Sequence, residues 1–404
     1  MNIRHWTVTV AALALGGAAQ GQATYDFSGV TTLVQGALAG QNVNSPVPGV
    51  DVLLMHRGKV VYRRAFGDMT LDEVVAADSA TKTVSGALIM SVVDQSTQPF
   101  TLDTRLSQFI PQFSGAKSTI TIRQCFSHTS GMFGQSLALS DSTITLQQAA
   151  VRIANAPQAA APGSEFAYGG VSMHAAGAVA ELASGLPWNT LFQQRLATPL
   201  GMASTRYVLT SPANPRVAGG CESNAPDFGR FMEMLRRGGL HAGPLGDVRV
   251  LSQGAVDALF TRQTPVGIPI ENTPLPGVSD YGVGVWLDRR HPDGRLESAV
   301  AAGARGFTSW VDFDDELVGV FATDRTSSGN VQNVVYLIRD AAQAAVRAAV
   351  WCPADFNRSH AATIDDVFIY LNAWFAGDPA TDRNADGVDI DDIFLFLNAW
   401  FAGC

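Results

Sequence analysis

The stretch Ser79-Ala-Thr-Lys82-Thr-Val-Ser-Gly-Ala-Leu-Ile-Met-Ser-Val-Val93 decides how the fold is read. Val84, Leu88 and Val92 recur at four-residue spacing, which predicts a buried helix over 80–93. On a helix, positions i and i+3 share a face, so the Lys82 amine stands one turn beyond the Ser79 hydroxyl and within its reach. That spacing suits covalent catalysis. A serine hydroxyl is a weak nucleophile until a base takes its proton, and a lysine can be that base where burial and neighbours lower its pKa. A serine at a helix start also offers its own N–H to a developing oxyanion. The alternative is an N-cap serine followed by a surface lysine. A second S-x-x-K match, Ser114-Gly-Ala-Lys117, follows Pro111 and precedes Thr119 and Thr121, which predicts a loop leading into a strand.

Outward from the helix, 50–67 reads as two strands joined at a turn containing Gly58. Then come Leu102-Asp-Thr-Arg-Leu-Ser-Gln-Phe-Ile-Pro111, Ile120-Thr-Ile-Arg-Gln-Cys-Phe-Ser-His-Thr-Ser-Gly131, Pro199-Leu-Gly-Met202 and Tyr281-Gly-Val-Gly-Val-Trp286. Across about residues 45–350 this succession resembles the serine β-lactamase and penicillin-binding-protein superfamily, in its class C-like branch, which includes esterases and D-amino-acid peptidases. The resemblance implies an α+β fold, an antiparallel sheet flanked by helices plus a helical lobe, with Ser79 in the cleft between them.

Pro162-Gly-Ser-Glu-Phe-Ala-Tyr168-Gly-Gly170 matches that family's tyrosine motif. By resemblance the Tyr168 phenol shares a hydrogen-bond network with Lys82 and relays the proton. Gly170 stands where the family usually has asparagine, so one donor to substrate is missing. The third motif, usually Lys or His, any residue, then Gly, is best matched by Ala301-Ala-Gly303. The basic side chain is absent, but the Ala304 N–H could pair with the Ser79 N–H as an oxyanion hole. Arg305 is the substitute for binding a substrate carboxylate, its alternative being a surface charge. His128 and His174 read as structural histidines. Neither a G-x-S-x-G elbow nor an H-E-x-x-H motif is present.

Of 404 residues, 47% are apolar and 16% charged, which allows a sizeable core. The net charge is -9 and only Lys59, Lys82 and Lys117 are lysines, which argues against nucleic acid as a partner. Arg4 and His5, an apolar run from Trp6 to Leu15, and small residues after it predict a signal peptide over 1–23. No other apolar run is long enough for a transmembrane span, so the mature chain is expected to be exported, secreted, periplasmic or on the cell surface. Export permits disulfides. Cys352 opens the tail and Cys404 ends it, so a bond between them would close that module. Cys125 and Cys221 read as buried small hydrophobes.

The tail, 351–404, is set apart by charge and by repetition. Residues 352–404 hold nine Asp against two Arg. Asp365-Asp-Val-Phe-Ile-Tyr-Leu-Asn-Ala-Trp-Phe-Ala-Gly377 returns as Asp391-Asp-Ile-Phe-Leu-Phe-Leu-Asn-Ala-Trp-Phe-Ala-Gly403. Val367, Tyr370, Leu371, Trp374 and Phe375, and their counterparts Ile393, Phe396, Leu397, Trp400 and Phe401, predict two amphipathic helices burying their stripes against each other. Asp382, Asn384, Asp386 and Gly387 open a calcium loop. Its closing carboxylate, Asp392, comes one position early. Asp355, Asn357 and Asp366 form a first loop of the right length, with Ser359 and His360 replacing the central Asp-Gly. The module resembles a type I dockerin, which implies structural Ca2+ and a cohesin-like or cell-surface partner.

The expectation is thus a two-module serine hydrolase, 24–350 and 351–404, acting through a Ser79 acyl-enzyme with Lys82 and Tyr168 moving protons and needing no cofactor for catalysis. Its substrate would be a small ester or amide, or a peptide. Esterase-like activity ranks first, β-lactamase or D-alanyl-D-alanine carboxypeptidase second; a non-catalytic receptor using the same cleft is the rival from another class.

Overall fold

The computed structural model describes residues 23–96, 99–243, 246–275 and 278–403. They form two compact units, one of Phe27–Arg347, the other of Ala348 onward with the few described residues before Phe27.

In the larger unit, β1 (Gly49–His56) and β2 (Lys59–Gly67) form the expected hairpin. Arg57 and Gly58 both take positive φ, 50° and 81°, the geometry that matches a two-residue turn to the twist of its strands. The other strands of the main sheet lie far along the chain: β3 (Trp286–Arg290), β4 (Leu296–Ala302), β5 (Thr308–Asp312) and β6 (Leu317–Ala322). The order is β3-β4-β5-β6-β1-β2, antiparallel throughout. Asp51 faces Ala322 across the β1–β6 seam, so the first strand is locked in by the last. Both are buried along their whole length, which explains their nearly unbroken apolar sequences.

Helix α1 (Ser28–Leu38) precedes the hairpin. Helix α2 (Thr81–Gln95) is the predicted one, and every residue from Thr81 to Val92 is buried. It is therefore a central helix enclosed on all sides. The 281–286 segment passes directly over it: Gly284 has φ +79°, and a Cβ there would lie 2.2 Å from the Lys82 carbonyl oxygen. The helical lobe contains α3 (Leu146–Asn155) packed on α4 (Val171–Ser184). Helix α5 (Ala225–Arg236) packs on β1, β5 and β6, and α6 (Ser328–Arg347) packs on α1 and β6.

The strand expected after Ser114 is not formed. A 3-10 turn, Gly115–Thr119, leads into a short helix, Ile122–Phe126, whose Thr121 and Gln124 make a reciprocal capping box. The cap satisfies free helical N–H groups and outweighs the β-propensity of the Ile-Thr-Ile run.

In the smaller unit, Thr24 and Val350 exchange backbone hydrogen bonds of 2.9 and 3.2 Å. The two repeat segments form α7 (Ile364–Phe375) and α8 (Ile390–Ala402). Tyr370 and Phe396, equivalent positions in the repeat, stack at 4.0 Å between ring centroids and 5° between planes. The stripes are narrower than expected: Phe375 and Phe401 are 78% and 77% exposed. Each sits at the end of its helix, about one and a half turns beyond the stacked pair. Cys352 is buried; Cys404 and the expected leader at 1–22 lie outside the described residues. Among the described residues no helix is long and apolar enough to cross a membrane.

Candidate active site

Ser79 lies in a single 3-10 turn, Asp78–Ala80, immediately before α2. Lys82, one turn later, is 4% exposed, and its Nζ donates to Ser79 Oγ at 2.9 Å and to the Ala218 carbonyl at 2.8 Å. Burial with two fixed acceptors holds the lysine on the serine.

Tyr168 reaches the same point from the strand-like segment before α4. Its ring lies 4.6 Å from Lys82 Nζ, a cation–π contact, where a hydrogen bond from the phenol was expected. The ring is held between His128, at 4.5 Å, and Trp286, stacked at 5.6 Å. His128 accepts from the Gly169 N–H through Nδ1 at 3.4 Å. Burial first, and the Lys82 charge second, push the His128 imidazole well below the ordinary histidine range. It is a neutral wall at physiological pH.

The third motif meets the nucleophile edge-on. A Cβ on Gly303 would fall 2.3 Å from the Ala77 carbonyl oxygen and 3.2 Å from Asp78 Cβ, so only glycine lets the end of β4 come this close. Among the described residues neither the Ser79 N–H nor the Ala304 N–H donates a backbone hydrogen bond. Two free N–H groups beside a nucleophile are what an oxyanion requires.

Arg305 is not at the substrate cavity. Its Nε and Nη2 each donate to Asp78 at 3.0 Å, its backbone N–H does the same, and Nη1 lies 3.8 Å from Asp324. Asp78 itself has φ +46°, a costly conformation for a residue with a side chain, placed directly before the nucleophile. Arg305 therefore clamps the strained turn. Gly170 is also off the cavity wall; a Cβ there would press on Ala218 and Leu139 at 3.2 and 3.3 Å.

Ser79, Tyr168, Gly303 and Ala304 open onto a cavity of about 180 Å³ whose apolar wall includes Leu275, Trp286, Val300 and Val335. No Lys, Arg or His is among its described lining residues. Ala218, Asp78 and the cavity-wall residues Asp288 and Tyr336 carry no sequence motif. Trp286 alone was foreshadowed, as the end of the 281–286 segment.

The other chemical groups are elsewhere. Lys117 is buried, and its ammonium donates to the carbonyls of Ile153 at 3.0 Å, Ala154 at 2.8 Å and Ala156, closing the end of α3. His174 is fully buried against Asn214 at 2.8 Å, and desolvation pushes it down to about 4. Cys125 and Cys221 are buried free thiols.

The beta-lactamase family profile matches residues 31–343. The chain belongs to the β-lactamase family. It is 29% identical over 217 residues to penicillin-binding protein 4 of Amycolatopsis lactamdurans, covering 52% of this chain and 54% of that one. It is 27% identical over 203 residues to a D-alanyl-D-alanine-carboxypeptidase/endopeptidase of Escherichia coli (strain K12), covering 48% and 51%. The match thus spans about half the length of these curated relatives. A provisionally assigned beta-lactamase from Bacteroides dorei DSM 17855 superposes with a TM-score of 0.68 and 26% identity, over 80% of this chain and 100% of that one.

In the smaller unit, Asp382 accepts from the N–H groups of Asn384, Ala385 and Gly387, so its carboxylate organises the loop. Asp366 accepts from Asn357 and Thr363, and Asp392 from Arg383 and Asp389. Asp355 accepts from Ser359 and His360. The closing carboxylates therefore hold backbone N–H groups at equivalent repeat positions, Asn357 and Arg383, Thr363 and Asp389. Among the described residues no three His, Cys, Asp or Glu side chains are grouped to hold a metal. Asp386 is nevertheless pushed up, by desolvation and then by repulsion from Asp389, Asp382, Asp392 and Asp391.

Proposed function

We infer that the unit Phe27–Arg347 is a serine hydrolase that prefers ester substrates without a carboxylate. The observation that carries this reading is the 2.9 Å Lys82–Ser79 hydrogen bond beside a largely apolar cavity with no Lys, Arg or His among its described lining residues. With Lys82 as the free amine, Ser79 Oγ attacks the substrate carbonyl carbon as its proton passes to the Lys82 nitrogen lone pair. The Ser79 and Ala304 N–H groups hold the oxyanion, and collapse expels the alcohol, which takes a proton from the Lys82–Tyr168 pair. Water then repeats the sequence on the acyl-enzyme and restores Ser79.

The second reading, β-lactamase or D-alanyl-D-alanine carboxypeptidase activity, is favoured by the curated relatives. Those substrates carry a carboxylate, and Arg305, the arginine that follows the third motif, is bound by Asp78. Hydrolysis of p-nitrophenyl butyrate and nitrocefin by the wild type and Ser79→Ala decides between them. Ester turnover lost in the variant, with nitrocefin untouched, supports the esterase; nitrocefin turnover supports the second reading; activity surviving in the variant sinks both.

The proposal extends to export, to a Cys352–Cys404 disulfide and to a dockerin-like tail that holds Ca2+ in the 382–392 loop and docks on a cohesin-like or surface partner. The crowding of Asp386 by four carboxylates supports a cation there, with Asp382, Asn384 and Asp386 as side-chain ligands. Calcium would neutralise that crowding and stiffen the loop. A melting temperature of the smaller unit's transition unmoved by calcium or EGTA would exclude it.

A further inference from the structure

The wall of the cavity carries a carboxylate that the hydrolytic chemistry does not use. Asp288 projects from β3 into the cavity wall, with its side chain 17% exposed. It is held there by a polar stripe on α6, a helix otherwise buried through Val331, Val334, Val335, Ile338 and Ala342. Tyr336 OH donates to Asp288 Oδ1 at 3.2 Å, and Arg339, only 2% exposed, donates to Oδ2. Ser298 Oγ also reaches Oδ2, at 3.5 Å. Oδ2 is thus fully engaged, whereas Oδ1 has one partner and keeps a lone pair.

Arg339 is the direct counter-ion of Asp288 but lies behind it. It is shared with Asp340 at 3.9 Å, and the neighbouring Arg289 lies 2.8 Å from Asp340 and 4.0 Å from Glu297. Glu297 also faces Arg295 and Arg347, so what distinguishes Asp288 is its position on the cavity wall and not an excess of carboxylates. Arg339 is not on the cavity wall, whereas Asp288 and Tyr336 are, so of this ion pair it is the carboxylate that a ligand meets first. Burying an arginine behind a carboxylate is expensive, and the arrangement makes physical sense if it presents that carboxylate in a fixed direction.

We propose that Asp288, braced by Tyr336 and Arg339, is the specificity residue of the cavity, accepting an ammonium or other hydrogen-bond donor at the distal end of the substrate and rejecting a carboxylate there. This deepens the serine-hydrolase reading and rests on it for the identity of the cavity. The substrate class becomes acyl compounds with an apolar spacer ending in an amine or hydroxyl.

The test uses binding, so that it does not depend on turnover. Full-length Ser79→Ala protein is titrated calorimetrically at pH 7 with hexylammonium chloride, 1-hexanol and sodium hexanoate, each a six-carbon probe. Hexylammonium should bind at least about tenfold more tightly than hexanoate, with hexanol between them. In Ser79→Ala/Asp288→Asn the ratio should collapse towards one. Should the lone Asp288→Asn change leave Arg339 unpaired and the protein unfolded, Asp288→Asn/Arg339→Gln removes both charges and gives the same reading. Tyr336→Phe, which keeps the carboxylate, should retain the preference. Equal affinity for hexylammonium and hexanoate, or a preference that survives loss of Asp288, overturns the proposal. Absence of ester hydrolysis by the wild-type protein would sink the catalytic reading alone, because the binding ratio is measured without it.

Discussion

Gly303→Ala is the sharpest perturbation of the proposed oxyanion hole. The added methyl would stand 2.3 Å from the Ala77 carbonyl oxygen, which is backbone, and 3.2 Å from Asp78 Cβ. Neither can swing away as a flexible side chain would. The end of β4 must therefore retreat from the Asp78–Ala80 turn by about 1 Å, carrying the Ala304 N–H with it, and a misplacement of that size costs about 100-fold in rate. Loss of one oxyanion donor gives a similar magnitude, about 100- to 1000-fold. The expected result is a fall of that order in kcat for p-nitrophenyl butyrate with KM little changed, since the alcohol and acyl arms still fit the cavity. Gly254→Ala is the control; its methyl meets only Ser252 Oγ at 4.0 Å, in a helix where alanine is favoured. A Gly303→Ala protein that melts lower but retains kcat within threefold would refute the reasoning, because the close approach would then be packing without positioning.

Two further outcomes are expected. Arg305→Ala should reduce kcat by no more than about tenfold, since a half-exposed ion pair contributes little, and should leave the ratio of carboxylate-bearing to neutral substrates unchanged; a selective rise in KM for the carboxylate-bearing one would restore Arg305 as its receptor. His174 has its imidazole pushed down to about 4 by burial, below the ordinary 6.5. The folded protein then binds fewer protons than the unfolded chain between those values, so this contribution is whole above pH 6.5 and is lost as pH falls towards 4, by about 2 to 3 kcal/mol. Urea unfolding at pH 7 and 4.5 should show a correspondingly smaller loss in His174→Gln; equal losses in both proteins would count against it.

What was legible in the sequence was whatever repeats locally. The hairpin announced itself by two apolar runs around Gly58, α2 by four-residue spacing, and the tail by outright duplication. The cleft's unsignalled parts are long-range or belong to the backbone. The Ala218 carbonyl that fixes Lys82 belongs to a residue 136 positions away with no functional side chain. The left-handed turn at Asp78 is made tolerable by Arg305, 227 positions on. Asp288 gains its meaning from Arg339 on a different element. None of these leaves a periodic trace. Arg305 was misjudged for the same reason: a cation beside a motif looks available until the carboxylate that holds it is in view.

The two S-x-x-K segments show why the motif alone is insufficient. Both lysines are buried, and both face backbone carbonyls. An ammonium has three protons to place. Lys117 places them on three carbonyls at the end of α3, which offer acceptors only, so the group is satisfied and has nothing with which to exchange a proton. Ser114, meanwhile, is exposed at the far side of a 3-10 turn. Lys82 has one carbonyl, one hydroxyl and the face of Tyr168. Only the hydroxyl can give a proton up, and it belongs to the residue with a free N–H at its own backbone and the Ala304 N–H beside it. The same i, i+3 offset therefore yields a helix cap in one place and the proposed nucleophile in the other, and the difference lies in whether one of the lysine's acceptors can itself be deprotonated.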